Sequence, residues 1–445
     1  MMQNNYSIPY VTQRISAGKK MRVRFFLFFF IVFPFINIFE QLDSVSTFFE
    51  GLILSSYANY ISILFASCVL LQQKRPKFDW LIVIISLILF FLLTINFFIT
   101  PLASFKWLLN WVGFIYFSIV LVQVIVTFTQ SDFLLLEYLS FKWLRVLFVF
   151  FAIVIAITWL ANFSFFVEML MDFQGDQINA ILTYNIGAEK QSLGLLFSLF
   201  LIMSITFWKH EKKNVRILFL ILFLIFLPSM IFIRTLYLAL FLTFLWLFFS
   251  KSRLRVAVLF FLVPLCCWLV VLNLESLILI VEDSYDRLPS LRFAWYAMSQ
   301  NLFGLGNGGY HIYVEQYQDQ LLSMFGSESM IMANSFWAAP ESDLVYFIAS
   351  WGVFSVLFFI YFAIVLVKGT AIFNKPKEIL GIEKVLLLMS FVIIFSGISQ
   401  DNAGSLIWWI YMAGGSGVVL RHLRQSRSEI RSAQKYTLQL LEQPK

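Results

Sequence analysis

Polar side chains are scarce in this chain, so the few that can do chemistry stand out. Most fall between Glu282 and Asp343, the one long stretch that is neither strongly apolar nor basic. It holds Arg287 and Arg292, glycines at Gly304, Gly306, Gly308 and Gly309, the histidine His311, and the acidic pair Glu341 and Asp343. Arg234 stands apart, at the junction of two apolar runs between Ile233 and Thr235. A guanidinium at the lip of a bilayer either faces a cavity or partner or snorkels from a helix end to lipid phosphates. A histidine can serve as a general base near neutral pH. Clustered glycines let backbone amides approach an anion or let the chain reverse sharply.

The segments that hold these residues can be read in turn. Pro289 suits a first helical turn, and Leu291, Trp295, Met298 and Leu302 recur at four-three-four spacing, so an amphipathic helix is expected there. Arg292 and Tyr296 line the edge beside that stripe, where Arg292 either pairs with Asp286 or a headgroup or serves a site. Gly304-Leu305-Gly306-Asn307-Gly308-Gly309 spells the GxGxxG letters without the strand and βαβ unit that dinucleotide binding requires, which excludes that reading. A turn or an anion nest remains. Tyr310, Tyr313, Tyr317, Leu321 and Met324 form a second helical stripe, suited to an interfacial belt or to sugar stacking. Pro340-Glu341-Ser342-Asp343 precedes another apolar run. Its acids and serine suit a helix cap, and a carboxylate there can also orient or deprotonate a hydroxyl.

The elements that position these residues follow from composition. With 60% apolar and 13% charged residues the chain is not an ordinary soluble domain, and its long apolar runs read as membrane helices. The +7 charge therefore marks cytoplasmic loops and is not a sign of a nucleic-acid partner, and none is expected. Cys68, Cys266 and Cys267 all lie in apolar runs, which leaves no disulfide framework and no metal-ligand set. Twelve spans are expected, near 25–39, 51–71, 80–100, 105–129, 146–163, 191–208, 215–233, 235–249, 256–281, 344–367, 385–400 and 404–420. The first follows a basic tail and lacks a small-residue cleavage pattern, so it reads as an uncleaved helix.

Orientation follows from charge. With the amino terminus inside, alternation leaves only Lys106, Lys190, Arg234, Arg287 and Arg292 outside, five of 32 basic residues. Residues 1–24 and 421–445 are then cytoplasmic tails, 25–281 carries nine spans with an external loop at 164–190, 282–343 is a long periplasmic loop, and 344–420 carries three more spans. A loop as long as 282–343 is uncommon without a function. The halves show no matching pair of broken helices, which argues against a transporter.

In this order of parts the chain resembles the O-antigen and capsule polysaccharide polymerase (Wzy) family, within the O-antigen ligase superfamily. Ser229 precedes Arg234-Thr235 at a span end. An external helix with Arg292, Trp295 and Ala297 leads into Phe303-Gly304-Leu305-Gly306 and Gly309-Tyr310, and a short motif then precedes Trp351-Gly352-Val353. The likeness covers roughly residues 185–370. Ligases of the superfamily carry an essential histidine just before that last span, where this chain reads Glu341-Ser342-Asp343. The resemblance implies a GT-C-like polytopic enzyme of the bacterial inner membrane, metal-independent, without a cofactor and inverting. Its substrate would be an undecaprenyl-pyrophosphate-linked oligosaccharide, and its associates a chain-length regulator and a flippase. Arg234 and Arg292 would receive the pyrophosphate. Glu341, Asp343 and His311 would be the catalytic candidates, and Tyr296, Gly304, Gly306, Gly309 and Tyr310 the glycan or loop residues. A ligase, or a flippase or transporter of lipid-linked sugar, is the alternative.

Overall fold

An apolar run in lipid has to satisfy its own backbone, and a helix does so within one segment. All regular structure among the described residues is helical. The structure, a computed structural model, describes residues 80–100, 105–172, 177, 178, 180–182, 190–208, 211–249, 287–306, 310, 313, 342–375, 379–397 and 406–441, with Val23, Arg24 and Leu27. The expected spans at 51–71 and 256–281, and all of 25–39 but Leu27, lie outside the described residues.

The helices in chain order are α1 (Trp80–Ile99), α2 (Phe105–Thr127), α3 (Gln130–Ala161), α4 (Phe163–Met171), α5 (Lys190–Phe207), α6 (Lys213–Ile231), α7 (Arg234–Phe249), α8 (Arg287–Gln300), α9 (Asp343–Trp351), α10 (Ser355–Phe373), α11 (Gly381–Ser396) and α12 (Leu406–Leu441). A 3-10 turn, Gly352–Phe354, joins α9 to α10. Gln130–Ala161, Lys213–Ile231 and the run Asp343–Phe373 are long and apolar enough to cross a membrane, and shorter apolar helices lie within α1, α2, α5 and α7. The apolar stretch at 215–249 is two helices, divided at Phe232 and Ile233.

Helix α12 shares the centre of the bundle with α11. It packs along α2 and α11, and α11 in turn meets α5 and α7. Residues 407–419 of α12 are buried on every side, as expected of a helix that is apolar all round. Small residues allow this proximity. A Cβ at Gly417 would lie 2.7 Å from Ile125 Cβ on α2, and one at Gly415 would collide with the Ser390 hydroxyl of α11. Outward faces are apolar too: Phe91, Leu160 and Leu224 are all more than half exposed, which suits a lipid surroundings better than water.

Two helices outrun their expected spans. The span expected from 146 begins at Gln130, because Thr129 and Asp132 form a capping box that starts the helix a full four turns earlier. The span expected to end at 420 continues as helix through Leu441, into the segment read as a tail. Neither a proline nor a glycine interrupts it after Gly417.

Described residues from four of the segments read as cytoplasmic, near 137–145, 207–216, 380–384 and 421–422, meet at one end of the bundle, while 74–77 and 251–255 lie outside the described residues. Arg145 Nη2 of α3 donates to Glu211 Oε2, at 2.9 Å, in the connection between α5 and α6. The Ile382 amide of α11 donates to Glu137 Oε2 of α3 at 3.1 Å, and Gly381 abuts Phe207 of α5. Arg421 of α12 donates to the buried carboxylate of Glu383 and stacks over Phe133, 4.3 Å from its ring centroid. His422 Nε2 lies 3.4 Å from the same carboxylate.

Candidate functional site

At the opposite end of the α11–α12 pair lies the start of α9. Ser342 has extended backbone (φ −144°), and its hydroxyl accepts from the Leu344 amide at 3.2 Å, so the capping role read from the sequence holds. The same hydroxyl donates to the Gly397 carbonyl at 2.9 Å, which ties α9 to the end of α11. Asp343 is only 3% exposed. Its Oδ2 accepts from Trp408 Nε1 at 3.0 Å, and a Cβ on Gly397 would stand 2.5 Å from that oxygen. One turn on, Tyr346 accepts at its hydroxyl from Trp111 Nε1 at 3.1 Å. The start of α9 is thereby fixed to α2, α11 and α12.

Helix α9 is then broken at Gly352, where φ is +52°. A break frees carbonyls from the helical ladder, and in an apolar setting they need other donors. The turn after α8 supplies them. Leu305 N donates to Ala349 O at 2.7 Å and Gly306 N to Ser350 O at 3.0 Å, while Val353 N donates back to Leu302 O at 2.9 Å. Gly304 and Gly306 have φ of 81° and 85°, the left-handed region that favours glycine. A Cβ on Gly304 would lie 2.7 Å from the Gly352 nitrogen, so two glycine backbones cross in contact. From α1, the Asn96 side-chain amide donates to both Phe303 O and Ser350 O at 3.1 Å.

This clasp fixes α8 against α9. Ala294, Ala297, Leu305, Tyr310, Val345 and Ala349 form a small buried cluster of their own. Of the apolar stripe, Trp295 and Leu302 are 64% and 60% exposed and Met298 is half-buried, which leaves the stripe free to face lipid, and the alanine face meets the protein. Alanines against Ala349 permit a closer helix approach than Trp295 or Leu302 would. Tyr296 on the neighbouring edge is half-buried.

The sequence-derived residues therefore separate. Arg292 belongs to α8, held directly on the helix that begins with Asp343. Arg234 opens α7, which reaches the same assembly through α11. The side chains of both arginines, with His311, Gly309 and Glu341, lie outside the described residues. Gly304 and Gly306 build a turn, and their amides are taken by Asn301 O and Ser350 O, so these two amides are not free for an anion, while Gly308 and Gly309 lie outside the described residues. Tyr310, read as a belt or sugar-stacking residue, is 3% exposed in the alanine cluster. Among the described residues no group of three His, Cys, Asp or Glu side chains is placed to hold a metal.

Asn96, Trp408 and Gly397 were not singled out from the sequence. Asn96 had a usable signal, as a lone amide inside the apolar run 80–100. Trp408 and Gly397 had none, since their importance comes from meeting Asp343. No family model, no curated protein and no solved structure matches the chain.

Proposed function

We propose that this chain is a polymerase of a bacterial surface polysaccharide, acting on undecaprenyl-pyrophosphate-linked glycan at the periplasmic face of the inner membrane. The reading takes twelve spans with both termini inside, in a GT-C-like arrangement. One observation carries it. The helix with Arg292, the glycine turn and the helix beginning at Asp343 are clasped together, and they lie at the end of α11–α12 opposite the basic segments. A rigid outer platform of this kind suits a reaction that needs cations fixed in advance where negative charge develops.

In the proposed step a sugar hydroxyl on the incoming lipid-linked repeat attacks the anomeric carbon of the growing chain. The bond from that carbon to the pyrophosphate oxygen breaks, and undecaprenyl pyrophosphate leaves with the electron pair. Arg234 and Arg292 would receive the charge on the leaving diphosphate. The hydroxyl proton passes to a nearby base, for which Glu341 and His311 are the candidates. Asp343, buried and bonded to Trp408, suits a group that fixes the start of α9 better than one that meets a sugar.

The test is a gel of surface glycan from a deletion strain complemented with variants. Arg292→Ala and Arg234→Ala are expected to lower chain growth by about 10²–10³-fold, the cost of one donor to a developing charge, while the protein still inserts. Single repeats on the acceptor are the expected product. Normal ladders from both variants would remove the site assignment. Long chains left on the carrier would indicate a ligase, and repeats stranded inside a flippase.

A further inference from the structure

A second feature lies at the basic end, away from the clasp. Between α5 and α6 is a cavity of about 350 Å³, within the range of small ligand sites. Phe200, Ser204 and Trp208 descend one wall at a spacing of four residues, and Phe219, Leu220 and Phe223 form the other. Its rim residues Ile205 and Leu220 are 59% and 52% exposed, so the groove opens away from the protein. Along α5, from Phe200 to Trp208, it runs about 12 Å at 1.5 Å per residue.

The mouth of this groove is charged. Arg216 overhangs Trp208, with its guanidinium carbon 5.9 Å from the ring centroid. Lys212 immediately precedes α6 and Lys213 begins it, and both side chains are exposed. Even with Glu211 counted, which is ion-paired with Arg145 at 2.9 Å, Lys212, Lys213 and Arg216 leave the turn with a net positive charge. Apolar walls call for a hydrocarbon chain, and three cations within one turn of its mouth call for an anion. Basic residues at the end of a span attract anionic lipid in this way.

We infer that the α5–α6 groove holds one acyl chain of an anionic phospholipid, with the headgroup phosphate at Lys212, Lys213 and Arg216. This site is independent of the polymerase reading and stands or falls separately.

The full chain, purified in mild detergent, is to be examined by native mass spectrometry with phosphatidylglycerol and phosphatidylethanolamine of identical chains. At least fivefold greater retention of phosphatidylglycerol is expected. The triple variant Lys212→Gln, Lys213→Gln, Arg216→Gln removes that preference. Ser204→Phe, which fills the groove, lowers retention with the charges intact. If that variant does not elute as the wild type does, Ile205→Trp at the rim supplies the same reading. The inference is overturned by equal retention of the two lipids, or by phosphatidylglycerol retention unchanged in the charge or groove variants. It is equally overturned if inorganic phosphate competes the lipid away completely, which marks a free-anion site, or if undecaprenyl phosphate binds at tenfold lower concentration, which marks a carrier site.

Discussion

At Gly352 the backbone takes φ of +52°, and a Cβ there would collide with Leu302 O and approach the Gly304 nitrogen to 2.6 Å. Those neighbours are backbone atoms, so no side chain can swing aside. Gly352→Ala is expected to cost at least about 1–3 kcal/mol from the backbone conformation alone, read as a lower melting temperature in detergent. A melting temperature equal to the wild type's would mean that the crossing of the two glycine turns is not tight. The glycine letters in the sequence allowed either an anion nest or a turn, because both need the same backbone freedom. What separates them is the destination of the amides, here the carbonyls of Asn301, Ala349 and Ser350. The last two of these acceptors are freed by the break in α9, which no local reading of Gly304 to Gly309 contains.

Elements were legible where their free energy is a local sum. Burying a run of apolar residues in lipid depends on that run alone, so α1, α2, α5, α6 and α7 fall close to their expected bounds. Helix α3 departed because a cap, not hydropathy, decides where it starts. Thr129 Oγ1 accepts from the Asp132 amide and Asp132 Oδ2 accepts from the Thr129 amide at 2.8 Å. Thr129→Ala is expected to cost about 1 kcal/mol. Faster amide exchange across the first turns of α3, with the segment beyond Val146 unchanged, is the corresponding measurement. Uniform protection in the variant would show that packing alone holds the early turns. Helix α8 was legible as a helix, and its buried face was not. Large side chains mark the stripe that looks apolar, yet the surface it meets on α9 admits only small ones.

Across the whole molecule, the ends of the bundle differ in chemistry. One end gathers Arg145, Glu211, Glu383, Arg421 and His422, and the other holds the Asp343–Trp408 bond and the clasp. Glu383 is fully buried, and its second oxygen accepts from the Leu380 amide at 2.9 Å. Removing it leaves the buried Arg421 uncompensated. Glu383→Ala is therefore expected to destabilise the protein by about 3–5 kcal/mol, whereas replacing both partners by apolar residues of similar volume costs much less. Thermal melts of the single and double variants in detergent test this, and equal losses in both would discount the ion pair.

The order of apolar runs and the one-sided placement of lysine and arginine determined the helical class and the two unlike ends, because hydropathy and charge are properties of each residue in place. The chain by itself also marked Arg234, Arg292, Gly304 and Asp343 as unusual. Only the tertiary structure decided that Gly304 crosses Gly352, that Asn96 bridges two carbonyls, and that Asp343 is closed in by Trp408 and Gly397. Each of those contacts joins residues far apart in the chain. Its energy belongs to the pair and to the geometry that brings the pair together, so neither member's sequence neighbourhood carries a sign of it.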